Sequence, residues 1–187
     1  MEDKKADRRT ARTQKAIKSA FLSLLAENEL SKITVREIAD SADVNHATFY
    51  KHYLDVYDLY DKVEQEILID WSTLILDLVE LESSDFFRGL VSYISDNRDV
   101  FRMVFSPNSP VELRVKLYRA LEGLFKQMTS EEIDTDLRDD RLAFMTCYRA
   151  QGCLSVLSKW VAEGFRQPEK LIIQIITELD SNTASII

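Results

Sequence analysis

Apolar and polar positions alternate with a helical period almost from end to end. Between Thr10 and about Asn28, the residues Ile17, Ala20, Phe21, Leu24 and Leu25 follow one another at the spacing of a single narrow stripe on an amphipathic helix. Two short amphipathic segments follow, parted by a turn too brief to fold alone. Thr34 with Glu37 three residues later is a capping box, in which hydroxyl and carboxylate each satisfy an unpaired N–H at a helix start. That opens a helix near Thr34, with Ile38 and Ala39 facing inward. Asp43-Val44-Asn45 reads as the turn, Val44 as its buried plug and Asn45 as N-cap of the next helix. This second helix runs from His46 to Tyr53, and Phe49 and Tyr53 share its inward face.

Beyond Leu54 the helical pattern lengthens. Tyr60, Val63, Ile67, Trp71, Leu74, Leu78 and Leu81 sustain one helix from Asp55 to Leu81, on the order of 40 Å long. Ser84 to Ser106 reads as one helix and a shorter one, divided near Asp96-Asn97. Ser106-Pro107-Asn108-Ser109-Pro110 is the clearest break. A helix from about Val111 to Thr129 carries Leu113, Leu117, Leu121, Leu124 and Phe125 as its stripe, and Thr129 to Asp140 reads as an acidic, exposed connection. The helix from about Asp136 to Gly164 is apolar on two sides: Ala143, Cys147, Ala150, Leu154, Leu157 and Val161 form one stripe, while Phe144, Tyr148, Val156 and Trp160 lie off it. A second apolar face implies a second partner. The last helix, opened by Pro168, has Leu171, Ile172, Ile175, Ile176 and Leu179 on one side. These last two helices are expected to form a four-helix interface with their copies in a twofold homodimer.

Composition agrees with an all-α fold, since four glycines and three prolines among 187 residues favour long uninterrupted helices. The net charge of −8 argues at first against nucleic acid, but it is unevenly spread, about +2 over residues 1–53 and −10 over 54–187. Arg8, Arg9, Arg12, Lys15 and Lys18 form a run with no acid among them. Met1 to Arg9 has no core-forming residue and reads as a flexible arm. Its Lys4, Lys5, Arg8 and Arg9 could reach a minor groove, or be a solvated tail.

Catalysis is not expected. Both histidines, His46 and His52, lie in the two-helix segment, and neither a metal-binding H-E-x-x-H nor a glycine-rich phosphate loop occurs. No cofactor or metal is called for. Cys147 and Cys153 have neither zinc-knuckle nor C-x-x-C spacing and read as free thiols, which fits a reducing cytoplasm. No apolar run approaches the roughly 20 residues that a bilayer requires, so no membrane span is expected.

The side of the second short helix opposite Phe49 carries Asn45, His46, Thr48, Tyr50, Lys51 and His52, donors and acceptors without one acid. Helix-turn-helix proteins set such a surface in the major groove of DNA. From about Thr10 to Tyr60 the chain resembles the TetR/AcrR family of one-component transcriptional regulators, on Thr34, Ile38, Ala39, Ala42, Val44, Phe49, Tyr50, His52 and Tyr53. It departs from the family where a lysine usually opens the next helix, since Val56 stands there.

The resemblance implies an N-terminal three-helix DNA-binding domain (1–53) and a larger helical effector-binding and dimerisation domain (54–187). Tyr50, Lys51 and His52 would hold phosphates, together with Thr34 at a helix N-terminus. Arg36, Asn45, His46 and Thr48 are candidates for base edges. Arg36 leads them because a guanidinium can pair with both acceptors of guanine. The alternative for Arg36 is an ion pair with Asp40, and for Tyr50 plain packing. The expected partner is a palindromic double-stranded operator, and the expected role is that of a repressor released by a small apolar or aromatic effector, with control by a protein partner as the alternative. Phe87, Tyr93, Phe101, Phe105, Tyr118, Phe125, Phe144 and Tyr148 are the candidates to line its pocket. Arg149 and Gln151 are polar in a mostly apolar helix, and would orient a ligand or face solvent.

Overall fold

The computed structural model describes the backbone at residues 2–78, 81, 83–132 and 139–184, and the side chains at 8–78, 81, 85–128, 140 and 142–183. Among these residues there is no strand. The α-helices are α1 (Glu2–Glu27), α2 (Val35–Ser41), α3 (His46–Tyr50), α4 (Val56–Leu78), α5 (Ser83–Asp96), α6 (Arg98–Val104), α7 (Val111–Glu132), α8 (Asp139–Ala162) and α9 (Glu169–Ala184). A single 3-10 turn, Leu30–Lys32, joins α1 to α2.

The expected stripes of α1, α4 and α7 are largely buried, but α4 ends at Leu78 and leaves Leu81 exposed, Ala143 of α8 and Leu171 and Leu179 of α9 are exposed, and Trp160, expected off the α8 stripe, is buried. Ile17, Ala20, Phe21 and Leu25 of α1 are buried, as are Tyr60, Val63, Ile67, Trp71 and Leu78 of α4 and Leu113, Leu117, Leu121, Leu124 and Phe125 of α7. Buried side chains from Ile17 in α1 to Ile176 in α9 belong to one contiguous cluster, so the first three helices share a core with the rest. Layering follows from which stripes meet: α1 lies against α2 and α6, α7 against α4 and α8, and α9 against α5 and α8. Polar links reinforce the join of α1 to the body. Ser106 donates its hydroxyl to the Ala26 carbonyl at 2.6 Å, and Lys18 pairs with Glu66 of α4.

Two helices end in the same way. After α2, Val44 N–H bonds to Ala39 O at 3.0 Å and Asp43 N–H to Asp40 O at 3.4 Å, with Asp43 left-handed at φ 53. This is a Schellman cap, which turns the chain sharply between the two short helices. After α8, Phe165 N–H reaches Trp160 O at 3.0 Å through Gly164 at φ 73 and Phe165 at φ 60. The strained Phe165 is held by burial against the Trp160 ring, 4.9 Å away, and by the Arg98 guanidinium 4.7 Å above its face.

Several boundaries differ from expectation. Residues 2–9, expected as a flexible arm, are the first turns of α1. The run contains alanine, lysine and arginine with no glycine or proline, and adding such residues to an existing helix is easier than nucleating one. The short α3 stops at Tyr50, with Lys51 as its C-cap, instead of continuing to Tyr53. Val44 is half-buried, not a fully buried plug. The acidic connection is shorter than expected, since Thr129–Glu132 and Asp139 are helical, and residues 133–138 lie outside the described ones.

Arg149 overturns an expectation more deeply. It is not a solvent-facing polar residue of α8: its side chain is 3% exposed and forms a two-point ion pair with Asp180 of α9, Nε–Oδ1 2.7 Å and Nη2–Oδ2 2.8 Å. Its guanidinium also lies 4.8 Å from the Phe125 ring. Periodicity within α8 could not reveal this, because α9 covers that side.

Candidate nucleic-acid interface and effector cavity

Local hydrogen bonding sets the two short helices. Thr34 and Glu37 form the full capping box: Glu37 N–H donates to Thr34 Oγ1 at 3.3 Å, while Thr34 N–H and hydroxyl donate to the Glu37 carboxylate at 2.9 and 2.7 Å. These bonds hold the Glu37 carboxyl below its ordinary range. Asn45 caps α3, its Oδ1 accepting from Thr48 N–H at 2.8 Å and from the Thr48 hydroxyl at 2.9 Å. Phe49 is fully buried and Tyr53 nearly so. They anchor α3 from one side and leave its other side free.

That free side brings the sequence candidates together. Asn45, His46 and Lys51 are exposed, Thr48 and His52 half-buried, and Tyr50 is 58% exposed, which removes plain packing as its whole role. Arg36 projects from α2, 80% exposed, and its Nε lies 3.6 Å from Asp40, so the alternative ion pair is present but sits in water, where such pairs are weak. Thr34 fits its expected role least well. Its hydroxyl is engaged by Glu37, whose carboxylate already holds the anion position at the start of α2. Arg8 and Arg9 are exposed on the first part of α1, while the Lys4 and Lys5 side chains lie outside the described residues.

The departure at Val56 has a structural counterpart. Val56 is buried as the first residue of α4, Asp55 accepts from Asp58 N–H at 2.8 Å, and Asp58 accepts from Leu54 N–H at 2.9 Å. Two carboxylates thus cap the helix start where a cation would meet a phosphate. Lys62 is one turn further on and is bonded to Asp58 at 2.9 Å and to the His52 carbonyl at 3.3 Å.

A cavity of about 640 Å³ opens between α4, α6, α7 and α8. Of the eight pocket candidates it gathers Phe101, Phe105 and Tyr118. Burial and the neighbouring Cys147 and Glu122 push the Tyr118 phenol up, so it lines the wall as a neutral group. Phe87 and Phe125 instead pack into an aromatic cluster with Phe86, at ring distances of 5.0 to 6.3 Å. Tyr93 packs behind the wall, on Trp71 and Phe101. Phe144 and Tyr148 face outward, 78% and 66% exposed, because the cavity lies on another side of α8. Sequence reading missed Trp71, Arg114, Leu117, Leu154 and Lys159 as lining residues, and Gln151 joins them. No periodic signal singles these out, since which stripe residues border a void depends on how helices splay.

A larger cleft of about 990 Å³ separates α1 and the residues His52 and Tyr53 that follow α3 from α4 and the α5–α6 turn. It is polar, and several of its charges are already engaged: Lys18 with Glu66, Lys62 with Asp58, and Arg98 with Ser95. The smaller, more apolar cavity is the better ligand site.

Among the described residues no helix is long and apolar enough to cross a membrane, and no group of three or more acidic, histidine or cysteine side chains could hold a metal.

Comparison with known proteins places this architecture. Residues 82–181 match a TetR-type family described as the transcriptional regulator C-terminal region. An uncharacterized HTH-type transcriptional regulator of Bacillus subtilis (strain 168), YxbF, is 34% identical over 83 residues, which are 44% of this chain and 21% of that protein, so the chain spans about a fifth of its relative. A TetR transcriptional regulator from Streptococcus agalactiae 2603V has the same fold, with a TM-score of 0.63 at 21% identity over 94% of this chain and 97% of the other. The regulator FadR from Bacillus subtilis, solved in complex with stearoyl-CoA, gives 0.62 at 18% identity over 88% and 95%. With an outward, acid-free α3 and a cavity between its central helices, the chain belongs to the TetR family of DNA-binding transcriptional regulators.

Proposed function

We propose that the protein is a repressor that binds a palindromic operator as a homodimer and is released by a small, largely apolar effector in the α4–α6–α7–α8 cavity. Residues 1–53 serve as the DNA-binding domain and residues 54–187 as the effector-binding and dimerisation domain, and the protein acts in the cytoplasm. The observation that carries the DNA reading is the outer side of α3: Phe49 and Tyr53 hold the segment down, while His46, Tyr50 and Lys51 face water with no acid among them. Tyr50, Lys51 and His52 hold phosphates, and Arg36, Asn45, His46 and Thr48 face base edges. Asn45 and Thr48 are tied to each other, which leaves Arg36 and His46 as the freer readers.

Dimerisation is supported by the apolar side chains that α8 and α9 leave in water, with Phe144 and Tyr148 on α8 and Leu171 and Leu179 on α9. Contiguous exposed apolar surface marks an interaction site, and a twofold pairing would bury all four twice over. The route from effector to DNA runs through shared elements. Cavity wall residues Phe101, Val104 and Phe105 belong to α6 or follow it, and α6 packs on α1. Trp71 of α4 also lines the cavity, and α4 pairs with α1 through Glu66 and Lys18. Filling the cavity tilts α4 and shifts α6, which changes the separation of the two α3 segments, so that two half-sites about one DNA turn apart are no longer met together.

Selection from a random duplex pool with the full-length protein tests this reading. Enrichment of an inverted repeat is expected, lost in a Tyr50→Ala/Lys51→Ala variant. A pool that stays random would sink it. Control by a protein partner is favoured instead if the particle is monomeric alone, for then the α8–α9 face awaits a different chain.

A further inference from the structure

We infer that the effector is an amphipathic anion, an apolar body carrying a carboxylate, whose acid end is held by Arg114 with Lys159 beside it. This rests on the effector reading above and adds its chemical class. The cavity is two-sided. Its inner wall is apolar, with Trp71, Phe101, Leu117 and Leu154. Trp71 presents only its ring, because its indole N–H is already donated to the Leu117 carbonyl at 3.1 Å. The remaining lining includes two cations, Arg114 and Lys159, and no carboxylate at all.

That sign is unexpected in its surroundings. Residues 54–187 carry a net charge of −10, so a chance selection of lining side chains would be acidic. Lys116, two residues further along α7, is matched with Glu64 at 3.0 Å. Arg114, by contrast, is half-buried and has no ion pair among the described residues. Lys159 does pair with Glu163 at 2.7 Å, but the lysine is exposed and the pair spans a single helical turn, so sharing or exchanging it for a ligand carboxylate costs little. A guanidinium offers a carboxylate two parallel hydrogen bonds, and a partly desolvated site strengthens them. A neutral ligand would leave Arg114 without a partner, and a cationic one would be repelled. The volume of about 640 Å³ suits a medium-chain or aromatic acid.

The test uses full-length protein and three probes of one chain length, dodecanoate, dodecanol and dodecylamine, each titrated below its micelle-forming concentration while tryptophan fluorescence is followed. Dodecanoate is expected to bind about tenfold tighter than dodecanol, the gain of one charge-assisted contact, with dodecylamine weakest. Arg114→Gln with Lys159→Gln should remove the advantage of the acid and leave the affinity for the alcohol unchanged, which also shows that the cavity still forms. Equal binding of acid and alcohol, or an acid preference that survives the double variant, overturns the anionic class while the apolar effector stands. Failure of all three probes to bind overturns both.

Discussion

Two faces of this chain are left uncovered by its own packing, and they differ in kind. The outer side of α3 is polar: His46, Tyr50 and Lys51 are solvated without cost until a phosphate or base edge replaces water. The outer side of α8 and α9 is apolar. Phe144, Tyr148 and Leu179 are each more than half exposed, and burying such a side chain is worth about 1.5–3 kcal/mol. A polar face can wait for its partner, whereas an apolar one drives association whenever a second copy is present. The protein is therefore expected to dimerise first and to bind DNA as a preformed pair, with affinity arising from two weak polar faces joined by one strong apolar one.

The comparison breaks most severely if the apolar face loses its scaffold. Arg149 and Asp180 tie α8 to α9, and beside them Tyr148 of one helix and Leu179 of the other line one small cavity. Arg149→Leu leaves Asp180 buried and unpaired, at a cost of about 3–5 kcal/mol. Thermal denaturation should show a fall on the order of 10 °C. Arg149→Leu with Asp180→Leu should recover most of it, and a double variant no more stable than the single one would show that the pair is not a closed unit.

Attacking the apolar face directly should leave the fold intact and remove the pair. Phe144→Glu with Leu179→Glu is expected to give a monomer in sedimentation and a roughly hundredfold loss of operator affinity, since each half-site is then bound alone. A dimer that persists would place the interface elsewhere. The polar face should respond more gently and in two distinguishable ways. Tyr50→Phe weakens binding about tenfold on every sequence, whereas Arg36→Ala costs a similar amount at one base position and relaxes selectivity only there. Quantitative mobility shifts on single-base operator variants separate the two, and a uniform loss for both would make Arg36 a phosphate contact.

The smallest effect belongs to the capping box that orients α2. The Glu37 carboxyl is held below its ordinary value of 4.5 by its bonds from Thr34. Its contribution is therefore complete above the unfolded value and fades as pH falls through the folded one. Glu37→Gln should lower the melting temperature slightly at pH 7, and the gap between variant and wild type should close in acid. A gap independent of pH would mean that the carboxylate charge has no part in the cap.

The two faces were not equally legible. The α3 side could be read from spacing alone, because Thr34, Glu37 and Asn45 bond to backbone groups three residues away, and because Phe49 and Tyr53 declare which way the segment turns. Phe144 and Tyr148 could be recognised as lying off the main stripe of α8, but not whether they met a ligand or another chain. The stripe shows only that α8 has two apolar sides. The way α7 and α9 bracket that helix placed them in water instead of in the cavity.

Local hydrogen bonds and helical period are properties of neighbouring residues, so the sequence by itself determined the helix order, the Thr34–Glu37 capping box, the Asn45 cap and the acid-free side of α3. Two things depended on contacts between residues far apart in the chain. The pairing of Arg149 with Asp180 across 31 positions and the meeting of Trp71, Arg114 and Lys159 around one void were decided only when the helices packed. A void is whatever volume the packed helices fail to fill, and no run of residues encodes it locally.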